Sequence, residues 1–208
     1  SLQKILARDS EKDLKAPADL AGKRVSAVRG SSSEQGARKN IPNVDPVTFK
    51  DPSGAFLALQ LWLNKPAAAL DIVVVPFDQI FKSVRAGTAD VGLIIHEGQL
   101  TYRNEGLEVC EDLGVWWGRE NDGLPLPLGG NVIRKNFEPA VRKTISDILT
   151  RSIQFSLDHR PEAVQHALQY ARDMGRDLAD RFVGMYVNHW TLDYGPRGRE
   201  SIRRFLEA

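Results

Sequence analysis

The sequence is poor in the residues that would indicate a redox protein or a nucleic-acid-binding protein. It has one cysteine, Cys110, so an intramolecular disulfide cannot form. Glu108, Glu111 and Asp112 surround this thiol with negative charge, the opposite of what a catalytic thiolate needs, and Cys110 is predicted to be a small core residue of a strand. The 28 Lys and Arg residues nearly balance the 27 Asp and Glu residues, which excludes a net field that would attract nucleic acid.

The chain also lacks a long apolar run, and no stretch approaches the roughly 20 residues of a membrane-spanning helix. We therefore expect no membrane partner and, because no charged and then apolar leader opens the chain, a cytoplasmic protein. The first residue is Ser1 and not Met, so further residues are expected upstream. The histidines and the cysteine do not have the spacing of a zinc ligand set, and no metal site is predicted.

The most informative segment is a short apolar run that ends in two titratable residues. Residues 90–98 read Asp-Val-Gly-Leu-Ile-Ile-His-Glu-Gly, which is typical of a buried strand in a parallel sheet. His96 and Glu97 then follow the carboxyl end of this strand, the edge at which open α/β sheets bind ligands. Because imidazole titrates near neutral pH, His96 is a candidate proton acceptor or donor. The alternative is a histidine that caps the strand and bonds to the backbone.

A glycine- and serine-rich segment is the second candidate site. A strand predicted over 24–28 is followed by four small residues that lead into a helix: Gly30, Ser31, Ser32 and Ser33. Free backbone N–H groups, hydroxyl groups and the positive end of a helix dipole suit a carboxylate or a phosphate. A plain helix cap without a ligand is the alternative. The Lys-Ser/Thr ending of a nucleotide P-loop is absent.

Strands and helices alternate through the first half of the chain, which predicts an α/β fold with crossover helices. Strands are predicted at 2–8, 24–28, 47–49, 71–76, 91–95 and 107–113. From Phe137 onward the pattern is helical to the end of the chain. The segment 84–92 resembles periplasmic-binding-protein-like domains, whose two lobes close on a ligand.

Longer segments resemble one enzyme family. Residues 76–80, 86–99, 112–117 and 123–131 closely resemble the 1,4-dihydroxy-6-naphthoate synthase family of the futalosine route to menaquinone, and the resemblance covers nearly the whole chain. It implies a lyase that converts cyclic dehypoxanthine futalosine to 1,4-dihydroxy-6-naphthoate without a metal or an organic cofactor. The family histidine that corresponds to His96 is the proposed general base. Glu97 is a candidate to orient His96 or to contact the substrate; a carboxylate facing water is the alternative.

The Gly/Ser segment departs from the family pattern. Family members have a proline before the loop glycine and two threonines, third and fourth after it, that hold the substrate carboxylate. Here Arg29 precedes Gly30, and the matching positions are Ser33 and Glu34. Glu34 would repel a carboxylate unless it turns away, whereas a shift of one residue would bring Ser32 and Ser33 into register. We therefore assign the carboxylate to the serines as a group, with Arg29 as a candidate cation.

The resemblance also predicts the domain organisation, a type 2 periplasmic-binding-protein-like fold with one incomplete lobe. Residues 1–12 would cross between the lobes, and residues 13–112 would form the complete α/β lobe that carries His96. Residues 113–133 would cross back to the other lobe. Residues 134–208 would form helices of that lobe, whose N-terminal sheet is missing. An exposed apolar face on these helices is expected, and the chain by itself is expected to be inactive.

The competing function is a solute-binding protein of the same fold that captures a small carboxylate without chemistry. His96 and Glu97 favour the enzyme, because a binding protein does not need a base that titrates near neutrality. A structural interaction module lacks a supporting charged patch or apolar repeat. A small-molecule carboxylate is the expected partner, nucleic acid is not, and a homodimer through the C-terminal helices is an untested option.

Overall fold

The computed structural model describes residues 4–8, 10, 16, 19, 24–28, 54–130, 132–170 and 175–208. The chain divides into two units, 1–120 and 121–208. The predicted strand at 47–49 and the Gly/Ser segment with its neighbours Arg29 and Glu34 lie outside the described residues. The predicted boundaries of lobes and crossing segments therefore stay a prediction.

The first unit contains a five-stranded mixed sheet. Its strands are β1 (Lys4–Arg8), β2 (Arg24–Val28), β3 (Asp71–Val75), β4 (Val91–Ile94) and β5 (Leu107–Asp112). Their order across the sheet is β3-β2-β4-β1-β5. Strand β2 pairs in parallel with β3 and β4, whereas β1 is antiparallel to β4 and β5. The predicted α/β fold is confirmed, with strands at the predicted positions within the described residues.

Strand β4 lies at the centre of this sheet, and every residue of it is buried. Valine, leucine and isoleucine fit a pleated surface that is covered on both faces, which is why this run reads as continuously apolar. Gly92 pairs with Leu6 of β1 and with Ser26 of β2. Leu6 and Ile94 belong to a buried cluster with side chains from a helix and from β5: Ile80, Val84 and Leu107.

Helices of the first unit connect and cover the strands. They are α1 (Gly54–Leu63), α2 (Ile80–Arg85), the short α3 (Gly98–Thr101) and α4 (Leu113–Glu120), with 3₁₀ turns at Ala67–Ala69, Phe77–Gln79 and Tyr102–Glu105. Helix α2 ends before Gly87, whose φ of 72° is the left-handed conformation predicted for a C-terminal glycine. Cys110 of β5 is buried, as predicted, and Trp62 of α1 is buried too.

Helix α4 is not predicted by the sequence analysis, which assigns residues 113–133 to a segment that returns between lobes. Asp112 explains its start, because its Oδ1 accepts hydrogen bonds from the backbone N–H groups of Gly114 and Val115. Leu113 and Trp117 then lie one turn apart on the buried side of the helix. A side-chain cap and two apolar contacts thus outweigh the two glycines of this segment.

The second unit is helical in its described part. It contains α5 (Pro139–Asp158), α6 (Arg160–Ala167), a 3₁₀ turn at Leu168–Tyr170, α7 (Arg176–Tyr186), α8 (His189–Leu192) and α9 (Gly195–Glu207). Arg160 joins α6 to α7, since its Nε donates to Asp180 Oδ1 across 2.7 Å. Ser201 ties α9 to the preceding loop by donating to the Pro125 carbonyl across 2.6 Å. Within the described ranges, the helices include none that is long and apolar enough to cross a membrane.

An apolar stripe on α5 is exposed, as the sequence analysis predicts. Val141, Ile145, Ile148 and Phe155 recur at helical spacing, and between 38% and 63% of each is accessible to solvent. Large apolar side chains at such exposure on one helix face form a patch that favours contact with other apolar surface.

The buried cluster around Leu6 provides a test of the first unit. We expect Leu6→Ala to lower the free energy of unfolding by about 2–5 kcal/mol, because Leu6 is fully buried and its removal leaves a cavity. Leu206→Ala is the matched control, since Leu206 is 73% exposed and should cost less than about 0.5 kcal/mol. Urea unfolding followed by tryptophan fluorescence gives both values. Equal costs for the two variants would contradict the assigned core.

Candidate functional site

The candidate site lies at the edge of the sheet where β4 ends. Two residues after Ile94 the chain reaches His96, which is followed at once by α3. Strand β2 is the parallel neighbour of β4, with Val25 opposite Val91 and Ser26 opposite Gly92. The carboxyl end of β2 is therefore at the same edge of the sheet as His96.

The imidazole of His96 is enclosed by two phenylalanine rings. The ring centroid of Phe77 lies 5.4 Å from that of His96, and the centroid of Phe81 lies 5.7 Å away, both rings being tilted against the imidazole by more than 50°. Only 14% of the His96 side chain is exposed. The ring is thus held in an apolar wall formed by the 3₁₀ turn and by helix α2.

The two ring nitrogens of His96 have different surroundings. The backbone N–H of Gly98 donates a hydrogen bond to Nδ1 across 3.0 Å. Atom Nε2 is buried, and no group among the described residues is hydrogen-bonded to it. The expected alternative of a strand-end histidine bonded to the backbone therefore holds for Nδ1, and the Phe77 backbone also interacts with the ring.

Burial lowers the pKa of His96 below its usual value of 6.5, because the charged imidazolium would lose its hydration in this apolar wall. Three groups act in the opposite direction and raise the pKa: the Glu97 carboxylate first, then the Phe77 backbone and the Asp78 carboxylate. Since burial is the largest influence, the ring is neutral at pH 7. A neutral imidazole is the form that can accept a proton.

Glycine is required at position 98 by the close approach of the two rings. A Cβ atom there would lie 2.5 Å from Cζ of Phe81 and 2.6 Å from Cε1 of His96. Both distances are shorter than any ordinary carbon–carbon contact, so the rings would have to move. Gly98 therefore sets the position of the imidazole through its N–H group and through its lack of a side chain.

The structure brings together some of the predicted site residues. His96 and Glu97 are adjacent, with 3.9 Å between Nδ1 and the nearer carboxylate oxygen Oε2. Gly30, Ser31, Ser32 and Ser33 lie outside the described residues, so their assignment to a carboxylate site stays a prediction. Among the described residues, no group of three His, Cys, Asp or Glu side chains could hold a metal ion.

Sequence reasoning misses three residues that build the site. Phe77 and Phe81 read as the apolar stripe of a helix, and only their distances to the imidazole reveal them as its walls. Gly98 reads as the end of a strand motif. Its position two residues after His96 is the one signal in the sequence, because a backbone N–H at that spacing can reach the ring.

A depression in the second unit offers different chemistry. It has a volume of about 280 Å³ and is lined mainly by apolar residues of α5, α6 and α7, among them Leu149, Ile153 and Val183. The cation in its wall, Arg160, already pairs with Asp180. His, Asp and Glu are absent from its lining within the described part of the chain, so it has no group for proton transfer near neutral pH.

Comparisons with a family model and with individual proteins point to the same family. A family model described as menaquinone biosynthesis matches residues 50–208. A protein named 1,4-dihydroxy-6-naphtoate synthase from Streptomyces coelicolor is 34% identical over 158 residues, which cover 75% of this chain and 56% of that protein. A protein of the same name from Thermus thermophilus is 36% identical over 137 residues, which cover 65% of this chain and 50% of that protein. The chain thus spans about half the length of these relatives.

Solved structures show the fold. A crystal structure of an Archaeoglobus fulgidus protein matches with a TM-score of 0.76 and 31% identity, covering 99% of this chain and 65% of that one. The alkanesulfonate-binding protein SsuA from Xanthomonas axonopodis matches with a TM-score of 0.56 and 16% identity, covering 99% of this chain and 62% of that one. The predicted periplasmic-binding-protein-like fold is therefore confirmed.

Replacement of Gly98 tests the close packing around the imidazole. We expect Gly98→Ala to displace the rings of Phe81 and His96 and to lower the free energy of unfolding by about 1–3 kcal/mol, the usual cost of overpacking. Gly129→Ala is the matched control, because a Cβ at Gly129 would meet no atom within 4 Å. Urea unfolding measures both costs. A Gly98→Ala protein as stable as the control would show that the site has room for a methyl group.

The lowered pKa of His96 has a consequence for stability. Below pH 6.5 the ring in the unfolded chain takes up a proton that the buried ring resists, so the unfolded state binds more protons. We expect the free energy of unfolding to fall as the pH drops below 6.5, by at most about 1.4 kcal/mol per pH unit for this one group. His96→Asn should remove this contribution. The slope between pH 7 and 5 measures it, and identical slopes for the two proteins would contradict a lowered pKa.

Proposed function

The chain belongs to the menaquinone biosynthesis family, and from this premise we propose that the protein is a carbon–carbon lyase that forms 1,4-dihydroxy-6-naphthoate. Its proposed substrate is cyclic dehypoxanthine futalosine. The two curated relatives carry the name of this synthase, which supports the enzyme over a binding protein. The proposal requires neither a metal nor an organic cofactor.

The buried imidazole at the carboxyl end of β4 carries the proposal. His96 is the proposed general base: it would remove a proton from the substrate, and the electron pair freed on the substrate would form a new double bond as the carbon–carbon bond breaks and its pair leaves with the released fragment. The lowered pKa supports this role, because the ring is neutral at pH 7 and does not first have to lose a proton. The walls of Phe77 and Phe81 support it further by keeping water away from the ring.

The proposed carboxylate site follows β2. Because β2 runs parallel to β4 and beside it, the chain leaves β2 at the edge of the sheet where His96 lies. We assign the substrate carboxylate to Gly30, Ser31, Ser32 and Ser33 as a group, with Arg29 as a candidate cation. A cytoplasmic location and a homodimer stay predictions.

Replacement of His96 tests the function and the base together. In the full-length protein encoded by the gene, we expect His96→Asn to lower kcat about 100- to 10,000-fold, the range that general base catalysis supplies. Asparagine keeps a polar side chain of similar size at the site, so folding should be retained. The assay mixes enzyme with cyclic dehypoxanthine futalosine and follows dihydroxynaphthoate by mass spectrometry.

His166→Asn is the matched control, because His166 is an exposed histidine of α6 in the second unit and should leave kcat unchanged. Thermal stabilisation by the same compound reports binding separately from turnover. Stabilisation without product in the unmodified protein would favour the solute-binding alternative. Turnover retained by His96→Asn would remove His96 from the role of base.

A further inference from the structure

Atom Nδ1 of His96 lies beside one hydrogen-bond donor and one hydrogen-bond acceptor. The Gly98 N–H, 3.0 Å away, is a donor and needs a lone pair on Nδ1. The Glu97 carboxylate, whose Oε2 is 3.9 Å away, is an acceptor and needs a hydrogen on Nδ1. A single nitrogen cannot satisfy both at once. Its protonation state therefore decides which group it binds.

The observed hydrogen bond selects one tautomer of the neutral ring. Because Gly98 donates to Nδ1, the ring hydrogen of neutral His96 must be on Nε2. The lone pair of the neutral ring is then on Nδ1, where the Gly98 N–H already occupies it. In this arrangement neither nitrogen presents a free lone pair to a substrate.

Protonation of the ring reverses this arrangement. An imidazolium carries hydrogens on both nitrogens, so the Nδ1 hydrogen and the Gly98 N–H would be two donors facing each other. The Glu97 carboxylate is the acceptor beside them, and a movement of about 1 Å would bring it to the distance of a charge-assisted hydrogen bond. Its side chain is 28% exposed, which leaves it room to move.

We infer that Nδ1 exchanges partners when His96 takes up a proton: Gly98 N–H binds the neutral ring, and the Glu97 carboxylate binds the protonated ring. Glu97 is thus a positioning residue that acts through His96. This role rests on the proposed function, in which His96 is the base. Asp78 and the Phe77 backbone also face the ring, and among these groups the Glu97 carboxylate raises the pKa of His96 most.

The proton can arrive by two routes with the same end point. It is transferred either to Nδ1 as the Gly98 bond breaks, or to Nε2 after the ring has lost its Nε2 hydrogen to solvent and taken up a proton from solvent at Nδ1. In both cases the substrate loses a proton, the electron pair of the broken bond to hydrogen stays on the substrate, and the ring becomes an imidazolium with a hydrogen on Nδ1. Glu97 then compensates a positive charge in a largely buried ring.

Nitrogen NMR of the full-length protein labelled with ¹⁵N-histidine tests this exchange directly. The two ring nitrogens of a neutral histidine have well-separated shifts that report which one carries hydrogen. We expect Nε2–H in the neutral ring of the unmodified protein. Glu97→Gln should lower the pKa of His96, whereas the control Glu105→Gln, an exposed carboxylate paired with Arg85, should leave it unchanged. His96→Asn identifies the His96 signals.

Kinetics with the same variants tests the catalytic role. We expect Glu97→Gln to lower kcat about tenfold with KM unchanged, because the imidazolium that forms during the reaction loses its carboxylate partner. The acid limb of its kcat/KM profile should move to lower pH together with the pKa of His96. Glu105→Gln should retain the kcat and the pH profile of the unmodified enzyme.

Distinct outcomes separate this inference from the proposed function. A neutral ring with its hydrogen on Nδ1, or an unchanged His96 pKa in Glu97→Gln, would overturn the partner exchange even if the enzyme is active. The absence of turnover in the unmodified protein would overturn the lyase and with it the catalytic role of Glu97, whatever the spectra show. A loss of kcat in Glu97→Gln without any pKa shift would assign Glu97 to direct substrate contact.

Discussion

The burial of strand β4 is the constraint on which the rest of the site depends. Its four residues lie between a parallel neighbour, β2, and an antiparallel neighbour, β1, so neither its register nor its faces can shift without exposing apolar surface. A strand fixed in this way fixes the residues that follow it. His96 is two residues beyond the strand, and helix α3 begins directly after Glu97. The short connections to the sheet and to the helix hold the imidazole in one position.

The environment of His96 follows from the same packing. Helix α2 covers the sheet with Ile80 and Val84 in the buried cluster, and this docking also brings Phe77 and Phe81 against the imidazole. The packing that stabilises the first unit therefore also shields the His96 ring from water, and this burial lowers the pKa of the ring. Core and site share residues, which explains why a methyl group at Gly98 would disturb both.

The sequence predicts what depends on local pattern and misses what depends on distant contacts. The β4 run and the histidine after it are visible, because a buried strand and its end are properties of adjacent residues. The insertion of β1 between β4 and β5 joins segments about 90 residues apart, which periodicity does not encode. Helix α4 is missed because its start depends on the cap from Asp112. The Gly/Ser segment lies outside the described residues, so its predicted role rests on sequence alone.

The cost of His96 argues for chemistry over simple binding. Structures such as SsuA share this fold at 16% identity, so the fold alone does not separate a binding protein from an enzyme. Below pH 6.5 the buried imidazole resists the proton that it would hold in the unfolded chain, and its Nε2 has no hydrogen bond of ordinary geometry among the described residues. Both features cost stability, and an apolar side chain between two phenylalanine rings would avoid them. A site that only holds a carboxylate can do so with N–H groups, hydroxyl groups and a fixed cation, none of which has to change its protonation state. A buried imidazole that is neutral at pH 7 can accept a proton there, which suits the proton abstraction proposed for His96.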